Sequence, residues 1–148
     1  MSFHALEFKD RFSAMGDEAE AVFVELQDAG VVRYGLERPP INMGSLPQFL
    51  RYTPDFLQSA RLVECQGMGR DQILKLKLTK WMALQEWDCI HPVWLFVWDS
   101  HMQRHTEATV DKIRLGWLRD ERVTIDKFHD GPEYYAIPAE VVFGETPD

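Results

Sequence analysis

The sequence predicts an α/β (α+β) domain in which helices flank a mixed β-sheet. Three observations carry this reading. Phe12, Met15, Ala19, Val22, Phe23 and Leu26 recur at spacings of three and four, which marks an amphipathic helix. Arg61 to Gln66 alternates with period two, as a strand does. Val93 to Trp98 is apolar almost throughout, as expected of a strand covered on both faces. Helices and strands interleaved in this way pack as layers around one sheet.

Taken in order, the first helix runs from about Asp10 to Asp28, and Gly30 stands where a C-cap glycine belongs. Val31 to Leu36 reads as a strand. The stretch from Glu37-Arg38-Pro39-Pro40 to Gly44-Ser45-Leu46-Pro47 is dense in breakers and reads as a loop. Phe49 to Thr53 and Arg61 to Gln66 are the second and third strands, expected to pair as a hairpin. Gly67-Met68-Gly69-Arg70 turns the chain into a second helix, Asp71 to Trp87, with Leu74, Leu78, Trp81 and Met82 as its apolar stripe. Pro92 opens the fourth strand. Glu107 to Glu121 reads as a helix, and Arg122 to Phe128 pairs with Tyr134 to Ile137 across His129-Asp130-Gly131-Pro132. The order is therefore α-β-β-β-α-β plus a C-terminal helix and hairpin. No repeat, low-complexity tract or linker interrupts residues 1–148, so one domain is expected.

Composition narrows the function classes. A chain of 148 residues with 45% hydrophobic residues, five Trp and nine Phe can bury a core without staples. Its formal charge of −8 argues against coating nucleic acid through bulk electrostatics. An acidic metal site with local basic patches is compatible with that charge. Cys65 and Cys89 give no disulfide framework, which favours a reduced, cytoplasmic setting. No run approaches the roughly 18 apolar residues of a membrane span, and no signal-peptide core is visible, so no membrane is expected.

The chemistry is concentrated between Thr53 and Lys77. Leu62, Glu64 and Gln66 point to one face of their strand, and Arg61, Val63 and Cys65 to the other. A carboxylate inside an apolar strand is costly unless it is paired or holds a cation. Asp55 follows a proline and would converge on Glu64 if the two strands form a hairpin. Two carboxylates with no adjacent histidine or thiolate describe a hard-cation site, Mg²⁺ or Mn²⁺. Taken singly, each residue has a plainer role. Asp55 suits a turn, Glu20 a solvated helix face, and Lys75, Lys77, Lys80 and Arg70 the wet face of the second helix. A rival zinc set, Cys89, His91, His101 and His105, is split by a strand that separates its halves by about 20 Å.

The order of elements, Pro54-Asp55, and Glu64-x-Gln66 after eight intervening residues resemble the PD-(D/E)XK nuclease superfamily. Phage-type Holliday-junction resolvases and endonucleases are the most similar members. The likeness spans about Gly16 to Ser100. It implies a restriction-endonuclease-like sheet, with Asp55 and Glu64 as the motif acids and Glu20, in Gly16-x-x-x-Glu20, as a further metal-site acid. The Cys65 carbonyl would be an extra metal ligand. Gln66 stands where the family usually has lysine, so Lys75 or Lys77 of the following helix would replace it.

The implied activity is Mg²⁺-dependent (or Mn²⁺-dependent) cleavage of DNA by a homodimer, with branched DNA the favoured substrate. Arg51, Arg70, Lys75, Lys77, Lys80, Arg114 and Arg119 are the candidates for phosphate contact. The alternative is a catalytically inactive nuclease-fold module that binds nucleic acid or a protein partner.

Overall fold

The alternating segment predicted as a strand is the centre of the fold. In a computed structural model, which describes residues 8–28, 30–35 and 46–145 (backbone alone over 8–14), it extends from Arg61 to Met68 as β3. Around it lie α1 (Phe8–Leu26), β1 (Val32–Arg33), α2 (Gln48–Arg51) and β2 (Phe56–Gln58). After β3 come β4 (Ile73–Lys77), α3 (Leu78–Asp88), β5 (Val93–Asp99) and β6 (Arg104–Thr109). The chain ends with α4 (Val110–Leu115), a 3-10 turn at Trp117–Arg119, β7 (Thr124–Lys127), β8 (Glu133–Pro138) and α5 (Ala139–Val142).

The main sheet is mixed, in the order β1-β2-β3-β5-β6. The β1, β2 and β3 strands run antiparallel in sequence, β5 is parallel to β3, and β6 returns antiparallel to β5. A parallel neighbour needs a crossover, and β4 with α3 supplies it. A second, antiparallel sheet has the order β4-β8-β7.

Period two decides which side each residue of β3 serves. Val63 and Cys65 join Phe56, Phe96 and Trp98 under Ala19 and Phe23 of α1. Leu62 and Met68 join Val93, Leu95 and Val97 against Trp81, Leu84 and Trp87 of α3 and Leu74 and Leu76 of β4. Glu64 and Gln66 lie on this second face, inside the larger core. The α1 helix crosses β3 so closely that a Cβ on Gly67 would fall 2.5 Å from Met15 Cγ and 2.8 Å from the Met15 carbonyl oxygen.

The mixed α/β sheet, the first helix, the third and fourth predicted strands and the last hairpin are as the sequence implies. Three assignments are corrected. Phe49 to Thr53 is not a strand. Pro47 precedes a single helical turn in which Phe49 stacks on Trp87 at 4.1 Å, and the Phe49 carbonyl oxygen accepts the Trp87 indole N–H at 2.9 Å. The strand pairing with β3 is Phe56–Gln58 instead.

The predicted helix from Asp71 begins only at Leu78. Ile73-Leu74-Lys75-Leu76-Lys77 alternates, buries Leu74 and Leu76, and pairs with β8. Lys75 and Lys77 therefore share one strand face rather than diverging around a helix.

The region predicted as one helix, Glu107 to Glu121, starts as strand. Buried Asp99 accepts the backbone N–H groups of His101 and Met102, both at 3.1 Å, and the Arg104 guanidinium at 3.0 Å. That turn folds β6 back onto β5, so His101 and His105 share no helical face. The breaker-rich stretch from Glu37 to Ser45 lies outside the described residues. Among those that are described, no helix is long and apolar enough to cross a membrane.

Adding one methyl group at Gly67 tests the helix–sheet contact. Part of its clash is with Met15 backbone, which cannot swing away as a side-chain tip can. Gly67→Ala is expected to destabilise the fold by about 1–3 kcal/mol, read from urea denaturation; unchanged stability would mean that α1 does not sit this close.

Candidate active site

A proline explains why Asp55 can reach β3. Phe56 pairs with Val63 at the last position of the β2–β3 ladder. Continued by two positions, that register would set Pro54 opposite Cys65. Proline has no N–H to give, so the ladder stops there and both backbone groups of Cys65 lose their strand partner on that edge. The Asp55 carboxylate takes the Cys65 N–H at 2.8 Å. The Cys65 carbonyl, which points to the same edge of the strand, finds no N–H on Pro54. The bend is clamped from outside, because the Asp55 carbonyl accepts the N–H groups of Tyr34 and Gly35 at 2.8 and 3.2 Å. A Cβ on Gly35 would lie 2.7 Å from the carbonyl oxygens of both Thr53 and Pro54. Only glycine fits that approach.

Asp55 and Glu64 both line one cleft of about 250 Å³, together with Cys65, Gln66, Met15 and Gly16. Glu64 is only 6% exposed, and its carboxylate meets Lys80 Nζ at 3.0 Å. Burial, followed by the negative charge of Glu64, raises the Asp55 pKa well above the usual carboxylate range. Burial by itself would lower the Lys80 pKa, but the Glu64 carboxylate outweighs it and holds the ammonium more firmly protonated. Burial, reinforced by Asp55 and Glu64, pushes the Cys65 thiol up, so it is no nucleophile here.

Gln66 uses its Nε2 to donate to the Lys75 carbonyl at 2.6 Å, which ties β3 to β4. Its Oε1 is buried and has no hydrogen-bond partner among the described residues. The rest of the cleft lining is largely basic: Arg51, Lys75, Lys77 and Lys80, with Tyr52. The Tyr52 ring receives the Lys80 and Arg51 cations at 5.9 and 5.7 Å. Burial lowers the Lys77 pKa, and the nearby Lys80 and Arg51 cations add to the effect.

The expected acids at 55 and 64 are thus brought together, and Gln66, Cys65, Lys75 and Lys77 lie beside them. Glu20 meets the site through Arg33, whose NH1 and NH2 donate to Glu20 at 3.3 and 3.2 Å while NH1 lies 3.9 Å from Asp55 Oδ1. Arg51 belongs to the cleft. Arg70 lies exposed in the turn after β3. Arg114 pairs with Asp111 on α4, and Arg119 is exposed in the 3-10 turn beyond it, so neither belongs to the cleft wall.

Sequence reasoning placed Lys80 among surface phosphate contacts and missed Arg33 and Tyr52. Lys80 was findable: Ala83, Leu84 and Trp87 follow it at spacings of three, four and seven and are all buried, so Lys80 shares the inward face of α3.

The donor set suits a hard divalent cation. Two carboxylates, a strand carbonyl without a ladder partner and an orphaned amide oxygen are all oxygen ligands, and Mg²⁺ is commonly held by one or two carboxylates plus water. Among the described residues, no group of three or more His, Cys, Asp or Glu side chains is arranged to hold a metal. Any ion must therefore complete its shell with water, backbone or substrate oxygens. No protein-family model matches this sequence, and no curated protein matches it.

The raised Asp55 pKa sets the sign of a stability test. Folded Asp55 holds its proton more tightly than unfolded Asp55, so stability falls as pH rises from the ordinary carboxylate range through the raised pKa. Asp55→Asn keeps an acceptor for the Cys65 N–H and removes the charge. In EDTA at mildly alkaline pH its Tm should exceed wild type by a few degrees, since ~1 kcal/mol is worth roughly 3 °C at this size. The gain should vanish in acid; melting curves that differ equally at every pH would exclude a buried Asp55 charge.

Proposed function

We propose that the chain is a metal-dependent endodeoxyribonuclease of PD-(D/E)XK type, acting on branched DNA. The observation that carries this reading is one cleft lined by both acids and bases: buried Glu64 and half-buried Asp55 together with Arg51, Lys75, Lys77 and Lys80. A phosphodiester presents what both sets of side chains need, an electrophilic phosphorus flanked by anionic oxygens.

Asp55 and Glu64 would hold Mg²⁺, with the Cys65 carbonyl as a further oxygen. Bound there, the ion would neutralise phosphate charge and lower the pKa of a water. Asp55 is kept in place by the Cys65 N–H, so its carboxylate is oriented before any ligand arrives. Lys80 remains charged and stands beside Glu64, where its ammonium can face the charge that develops on phosphate oxygens. In hydrolysis the water oxygen bonds to phosphorus as the ester oxygen leaves with a proton, and one strand is cut. Gln66 and Lys75 fix the distance between the acidic strand and the basic one. Lys75 and Lys77, on one strand face, suit contact with consecutive phosphates, because strand residues two apart are about 6.6 Å apart.

Two sets of variants test the reading. Asp55→Ala and Glu64→Ala should each abolish Mg²⁺-dependent cutting of a four-way junction while leaving DNA binding measurable. Lys80→Ala should lower kcat on the order of 10²–10³-fold. A folded Asp55→Ala or Glu64→Ala protein that still cuts would refute the assignment, and DNA binding without cutting by wild type would favour an inactive nucleic-acid-binding module. Lys75→Ala and Lys77→Ala should weaken binding alike on linear and branched DNA. With one phosphate fewer neutralised, each variant should bind with a salt-dependence slope shallower by about one unit.

A further inference from the structure

We infer that Arg33 is a built-in cation that limits this site to a single divalent ion. The inference rests on the proposed metal-dependent reading of the Asp55–Glu64 cleft and concerns how many ions that cleft takes.

Arg33 is the second residue of β1, and its guanidinium lies between two carboxylates from different elements. Both terminal nitrogens donate to the two oxygens of Glu20, at 3.3 and 3.2 Å, a fork-to-fork pairing that fixes orientation as well as distance. The same NH1 lies 3.9 Å from Asp55 Oδ1. The guanidinium carbon sits 4.5 Å from the centre of the Phe56 ring, so the fork is also held by stacking. These contacts join α1, β1 and the start of β2.

The alternative occupant of that position is easy to name. Glu20 and Asp55 without Arg33 would be a second pair of carboxylates sharing Asp55 with the first, and Glu20 already adds to the negative charge felt by Asp55. Such an arrangement is what two-ion phosphoryl-transfer sites provide. A guanidinium stays protonated at any physiological pH and cannot exchange with bulk cations. Arg33 therefore engages both oxygens of Glu20, whereas Lys80 meets Glu64 at Oε2. Asp55 and Glu64 are left to hold one ion between them.

Counting bound Mn²⁺ by electron paramagnetic resonance or calorimetry tests this without any activity assay. Wild type should bind one ion per chain. Arg33→Met keeps an apolar group on Phe56 and removes the charge; it should bind two, and Arg33→Gln offers the same test should the methionine variant not fold. Arg33→Lys should stay at one, and adding Glu20→Gln to Arg33→Met should return the count to one. Two ions in wild type, or one in both neutral Arg33 variants, would overturn the inference while sparing the metal site. No bound ion in wild type would instead overturn the proposed function itself.

Discussion

The hydrogen bond from the Cys65 N–H to the Asp55 carboxylate is the contact on which the cleft depends. It exists because Pro54 interrupts a strand ladder one residue before the acid, leaving a backbone donor that a side chain must satisfy. A hydrogen bond to a charged acceptor contributes about 1.5–3 kcal/mol. Burying a carboxylate beside another of like charge costs several kcal/mol when uncompensated. The bond therefore orients Asp55 but does not by itself offset its burial. Lys80 offsets that cost only in part, and the Asp55 pKa stays well above the ordinary carboxylate range.

The charge of the whole chain and the charge of the cleft have opposite signs, and range decides which one a polyanion meets. The formal net charge is −8, but at physiological salt the Debye length is about 8 Å. Beyond that distance the net charge contributes little attraction or repulsion. Inside it, Arg51, Lys75, Lys77 and Lys80 face whatever enters. A chain built this way gains little from long-range steering and depends on contacts made after encounter.

What could be read from the sequence depended on the length of each pattern. The α1, β3 and β5 elements each repeat their period several times, and the buried glutamate in β3 stood out against an apolar strand. Asp55 followed from its proline and its separation from Glu64. The short elements were not legible. The α2 helix has four residues, too few to display a helical period, and β2 has three. In β4 two patterns overlapped: Leu74, Leu78 and Trp81 fit a helix, while Leu74 and Leu76 between outward-facing lysines fit a strand. Pairing with β8, some sixty residues later, decided the outcome, and no local pattern encodes such a partner. Arg33 escaped notice for the same reason. Its role depends on α1 and β2 meeting at one point, which is a property of the sheet and not of Val32-Arg33-Tyr34.

Gln66 is a neutral residue at a position where the surrounding charges leave little room for another cation. A lysine at this position of β3 would add an ammonium to a cleft that already contains Lys75, Lys77 and Lys80. The Lys77 pKa is already depressed, first by burial and then by its cationic neighbours. Another buried cation would increase that repulsion and compete with Lys80 for Glu64. Gln66 adds no charge, and its amide N–H holds the Lys75 carbonyl at 2.6 Å. The positive charge next to Glu64 is then carried once, from α3, and the strand position serves as a brace between the sheets. Under this division of labour, the glutamine positions the basic strand β4 and Lys80 supplies the charge beside Glu64.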